Sequence, residues 1–132
     1  VLIAHSDWWR NIGDGTCGRL LETYPNLYAD ISCTVGRSPI GRDKKMAREF
    51  FIKYQDRLMF GKDTWRPVEY GTYFRVFETA DEYFDYYRKR HAFWQMYGLE
   101  LPDEVLKKVY YKNALRVFRL EDDPVFKTMY PA

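Results

Sequence analysis

Histidine and cysteine are scarce: 132 residues hold 2 of each. A catalytic zinc site takes three protein ligands, so most of such a site would have to come from elsewhere. Cys17 and Cys33 show no metal-type spacing and no disulfide framework. Two free thiols fit a reducing compartment, which favours the cytoplasm. No apolar run approaches the ~18 residues of a membrane helix, so the reading includes no membrane. Charge of one sign is also lacking. The 21 basic and 19 acidic residues leave a net charge of +2, which is no electrostatic footprint for nucleic acid. There is no initiator methionine and no charged leader. The chain starts inside "VLIAH", an apolar run of the kind that fills a core. The expectation is a piece of something longer.

Aromatic residues are abundant, at 19% with 12 tyrosines. A tyrosine-edged core accounts for this, because tyrosine packs its ring while its hydroxyl stays wet. A sugar or aromatic-ligand surface is the sharper alternative. The length and the 46% hydrophobic content suit one domain with a real core.

Val1–His5 reads as a buried strand. From Thr16 to Tyr24 the residues Cys17, Leu20, Leu21 and Tyr24 fall on one helical face, with Thr16 as a cap. "LYADIS" (Leu27–Ser32) is a second strand. Asp43 caps a helix running to about Tyr54, with Ala47, Phe50, Phe51 and Tyr54 inward. "RLMFG" is a third strand. Continuous apolar strands alternating with helices predict an α/β fold with a parallel sheet. The later half is expected to hold a long aromatic loop over Thr64–Glu78. A helix follows it, opened by the Thr79/Glu82 capping box. Another runs from Pro102 to about Phe118, with Leu106, Val109, Tyr110, Ala114 and Val117 in helical register. The tail from Glu121 reads as weakly structured.

Side chains alternate along a strand. Val1, Ile3 and His5 share one face, as do Tyr28, Asp30 and Ser32, and Met59, Gly61 and Asp63. Each strand thus offers a polar group near its carboxyl end. A histidine and a carboxylate converging there would bind a divalent metal or activate a water. Each also has an ordinary role. His5 could be a core histidine, Asp63 a loop cap, and Asp30 a partner for loop amides. His91 follows a basic run at a helix end, where positive charge is favoured. Lys62 precedes Asp63, and alternation points it away from the acid's side.

The order of "VLIAH", "GRLLETYPNLYADIS", "AREFFIKYQDRLMFGKD" and "LPDEVLKKVYYKNALRVF" resembles the carboxyl-terminal part of amidohydrolase-related proteins. The branch is the one that includes aminocarboxymuconate-semialdehyde decarboxylase. The resemblance runs to about Phe118. It implies a partial TIM barrel, with (β/α) units matching strands six to eight plus closing helices, one of which carries the typical Asn113-Ala114 pair. His5 then matches the histidine that serves the metal's water, and Asp63 matches the metal ligand and proton acceptor. The implied cofactor is one divalent metal, zinc. The family's His-x-His and its fifth-strand histidine are absent here, and would belong to an amino-terminal half of the barrel.

On this reading residues 1–132 are the carboxyl-terminal part of a metal-dependent amidohydrolase-type enzyme. Alone, the chain would be inactive. The whole protein, with homo-oligomers among its possible states, would hydrolyse or decarboxylate a small carboxylated or aromatic substrate. Trp8, Trp9, Trp65 and Arg66 are candidates to line its pocket, the arginine suiting a carboxylate. Loop packing explains all four equally well. The rival reading is a non-catalytic binding or scaffold module with aromatic ligand loops.

Overall fold

A computed structural model describes residues 2–5, 16–31, 43–90 and 94–130. The sheet has three strands: β1 (Leu2–His5), β2 (Leu27–Asp30) and β3 (Leu58–Met59). They lie in the order β1-β2-β3, and both pairings are parallel. The expected order and direction are therefore present, although β3 is only 2 residues long. Helix α1 (Thr16–Thr23) connects β1 to β2, and α2 (Lys44–Lys53) connects β2 to β3.

The cause of α2 is local. The Asp43 carboxylate accepts the Met46 amide at 3.0 Å and satisfies one of the orphan donors of the first turn. Of the residues expected to face inward, Ala47, Phe50 and Phe51 are buried, and Tyr54, at the helix's C-cap, is half-buried against the core. The α1 and α2 helices are tied at their ends. Lys53 and Tyr54 both donate to Glu22, at 2.6 and 2.8 Å. Arg57 donates to the Leu27 carbonyl at 2.8 Å and to the Tyr24 carbonyl at 2.7 Å, which anchors the turn before β2 to the start of β3.

Leu27, Ala29, Ile31 and Leu58 enter one core cluster with Cys17, Leu21, Phe51, Tyr73, Phe77, Leu99 and Val109. Ala29 and Leu58 are also register partners, so the buried face of the sheet is the one against the helices. Tyr28 and Asp30 alternate onto the other face and are half-buried. Met59 pairs with Asp30 and is buried outside that cluster.

Three expectations about the second half are corrected. Thr64–Glu78 is not a long loop: α3 spans Pro67–Glu78. Pro67 occupies the first turn, where its missing N–H costs nothing, so it starts the helix. Tyr73, Val76 and Phe77 then fall on its buried face. The segment after Thr79 is not a helix. The Thr79 hydroxyl donates back to Arg75 O and accepts the Asp81 amide, which finishes α3. Tyr83 adopts φ 58, and Phe84 forms an antiparallel bridge with Met96. The tail contains α6 (Pro124–Met129), whose cap Asp123 accepts the Val125 amide at 2.9 Å.

Between these lies one nearly continuous helical run. It consists of α4 (Asp103–Lys107), a π-helical turn (Lys108–Lys112) and α5 (Asn113–Phe118). Arg119, at φ 58, ends it in the left-handed conformation. The chain crosses itself closely at Gly98, where a Cβ would stand 2.0 Å from the Thr79 carbonyl oxygen. Glycine is therefore required there. Among the described residues no helix is long and apolar enough to cross a membrane.

Candidate functional site

Parallel pairing places His5 beside Asp30, and Asp30 beside Met59. The three strands thus end level with one another, and the chain leaves β3 through Phe60, Gly61, Lys62 and Asp63 at the same end. In open parallel sheets this end is where ligands bind.

The exit from β3 is pinned. In the π turn the Asn113 amide donates to Lys108 O, one residue further back than in an α-helix. The Val109 carbonyl instead accepts the Phe60 amide at 2.7 Å. Asn113 itself is buried and donates to Gln55 O at 2.6 Å and to Leu58 O at 2.8 Å. The Phe60 ring packs among Tyr70, Tyr73, Phe74 and Phe77 of α3 and against Tyr110, with centroids 5.5–6.3 Å apart.

Lys62 turns to the same side as Phe60. Its side chain is 3% exposed, and its Nζ lies 2.5 Å from Oε2 of Glu69, itself 8% exposed. The ammonium stands 5.4 Å from the ring centre of Tyr73 and 5.7 Å from that of Tyr87. Arg66 and Arg88 approach the other Glu69 oxygen, at 3.7 and 3.5 Å. The Lys62 hydrogen bond chiefly holds the Glu69 carboxyl below its usual range. The Tyr86 hydroxyl donates to that of Tyr87 at 3.1 Å. Burial pushes the Tyr73 and Tyr87 phenols up, and the Asp63 charge adds a smaller upward push on Tyr73.

Asp63 itself is exposed. The Lys62 side chain is buried against α3, while Asp63, next to it in a bend, is exposed. Composition gave no sign of the cage around it. The one available signal was a lone lysine between an apolar strand and an acid, with Glu69, Tyr73, Tyr86 and Tyr87 downstream.

The remaining candidates lie in different places. His5 ends β1 in register with Asp30. Trp8, Trp9, His91 and Cys33 lie outside the described residues. Trp65 is 83% exposed and meets Tyr70 edge-on at 5.7 Å. It borders an apolar groove of about 510 Å³ with Phe60, Pro67, Tyr70, Phe74 and Tyr110. Arg66 pairs with Glu69. The contacts of both therefore run to α3.

Carboxylate oxygen and imidazole nitrogen are both zinc donors, so Asp63 and His5 fit part of a metal's donor set. They do not complete one. Among the described residues no three His, Cys, Asp or Glu stand close enough together to hold a metal.

The model of the Amidohydrolase family matches residues 6–120. No curated protein and no solved structure gives a match.

Proposed function

Because the chain belongs to the amidohydrolase family, we propose that it forms the carboxyl-terminal part of a metal-dependent hydrolase, with Asp63 and His5 at its site. The observation that carries this reading is the sheet itself. Three parallel strands end level at His5, Asp30 and Met59, and the chain continues directly to Asp63. Strands six to eight of a (β/α)8 barrel would have this arrangement, and the half-buried face bearing Tyr28 and Asp30 would line its interior. The branch containing aminocarboxymuconate-semialdehyde decarboxylase is the finer assignment, so hydrolysis and decarboxylation are both within the reading. The substrate class is a small carboxylated or aromatic molecule.

A divalent ion, zinc on this reading, would when bound lower the pKa of its water towards ~7 and polarise a carbonyl. Asp63 would supply one carboxylate oxygen as ligand and take the proton of the attacking water on the other. His5 would orient that water. The missing ligands would come from the amino-terminal part of the domain.

The test uses the protein that carries this chain. Asp63→Asn keeps size and shape and removes the charge. It should abolish turnover and lower metal content, and excess metal should restore little. His5→Ala should keep much of the metal and lose rate. Steady-state kinetics with metal analysis on both variants decides it. A near-normal rate and full metal content in Asp63→Asn would make the acid structural and remove the metal-site role from this chain.

A further inference from the structure

A lysine side chain that is 3% exposed is expensive to desolvate and is retained where it is fully engaged. Lys62 is engaged on every side: by Glu69, by the rings of Tyr73 and Tyr87, and by the Thr64 hydroxyl at 3.3 Å. Its neighbour is the exposed Asp63. Nothing in the mechanism above uses the lysine.

We propose that the Lys62–Glu69–tyrosine cage is a positioning device for Asp63. The inference rests on the metal-site reading and deepens it. Residues 61–66 form no helix or strand, so ladder hydrogen bonds do not fix the backbone that carries Asp63. What fixes it on one side is the Phe60 amide on Val109 O. On the other it is the Lys62 side chain, driven into α3 like a peg. Asp63 follows Lys62 directly and opens the bend at residues 63–64, so seating Lys62 against α3 fixes where the backbone that carries the acid stands. Glu69 is the seat, because it accepts the ammonium and gathers Arg66 and Arg88 around its other oxygen. The tyrosines close the cage, and their rings favour the cation they face. A carboxylate ligand must be held to a fraction of an ångström, and the groups that orient it act through it without touching the substrate. Lys62 and Glu69 are therefore positioning residues.

The test separates positioning from folding. Lys62→Met alone leaves Glu69 buried without its partner and should lower the melting temperature. The double variant Lys62→Met/Glu69→Leu removes both charges and fills the cage with apolar side chains, which should restore most of that stability. Zinc affinity is read by competition against a chelator, and kcat and KM by steady-state kinetics, in the protein that carries this chain. The double variant should bind zinc about 10- to 100-fold more weakly than wild type. Its kcat should fall and its KM should stay nearly unchanged. A stable double variant with wild-type zinc affinity and kcat, alongside a dead Asp63→Asn, would overturn the positioning role and leave the metal site standing. Wild-type zinc affinity in Asp63→Asn would overturn both.

Discussion

Cys17 shows how burial sets the chemistry of one residue. It is 1% exposed in the core between α1 and the sheet, and desolvation raises its thiol pKa from an ordinary 9.0 to about 12. The thiol is therefore protonated and inaccessible in the folded chain at neutral pH. Its carbamidomethylation should proceed only through unfolding, and mass spectrometry should show the rate rising with urea along the unfolding curve. The linkage has a definite sign. The pKa is higher in the folded state, so the stabilising contribution is whole below about pH 9 and is lost as pH rises through about 12. Fast labelling of Cys17 at pH 7 without denaturant would show that α1 opens locally. Tyr110 illustrates the same effect from a different position. Burial, with its hydroxyl donating to Glu78 at 2.9 Å, pushes the phenol up and keeps it a donor.

At the scale of elements, the shortness of β3 is offset by side chains. With 2 residues in the ladder, the strand is held by Asn113 on the Gln55 and Leu58 carbonyls and by the π turn on the Phe60 amide. A buried carbonyl left without its donor costs about 1–3 kcal/mol. Asn113→Ala strands one buried carbonyl and one part-buried one, so urea unfolding should show a loss of about 1–3 kcal/mol. The same variant should speed amide exchange at Phe60, because the helix that accepts that amide loses its lock on β3. A loss below about 0.5 kcal/mol, the ordinary effect of a surface substitution, would mean that other contacts carry β3. Helix α3 makes a different point. Glu69 lies in its first turn, where negative charge is favoured, and there it also receives Lys62. One residue thus serves both the helix and the loop leading to Asp63.

At the scale of the whole molecule, a three-stranded parallel sheet has two outer strands, β1 and β3, whose far edges pair with no other strand among the described residues. Unpaired edges and exposed Trp65 and Val68 are features that a larger domain would cover. The 132-residue chain by itself should be catalytically inert and should bind zinc weakly. Two candidate ligands do not close a catalytic coordination sphere. Isothermal titration with zinc is the check. One tight equivalent that disappears in Asp63→Asn would show that the chain holds further ligands of its own.

Local signals determined the first half of this protein. The apolar strands, the buried Cys17 and Leu21 of α1 and the Asp43 cap depend on neighbours a few residues away, and all three strands were legible from their runs alone; Tyr24, expected on the same helical face, instead follows α1 and is 56% exposed. The order of segments already resembled the amidohydrolases, and the match to that family over residues 6–120 bears the family out. The second half was decided by contacts distant in sequence. Pro67 reads equally as a loop terminator or a helix start, and only the burial of Tyr73, Val76 and Phe77 beneath it favours the helix. The Thr79/Glu82 box is a sound helix signal locally. It gave way because the Thr79 hydroxyl closes α3 and the following chain must cross at Gly98. The π turn exists because Phe60, 49 residues earlier than Val109, needs an acceptor. The Lys62 cage joins residues from the β3 exit, α3 and the segment after it. A buried ion pair of that kind leaves no periodic trace in a sequence, because its partners come from separate segments and the cost of desolvating them is offset only where the tertiary structure brings them together.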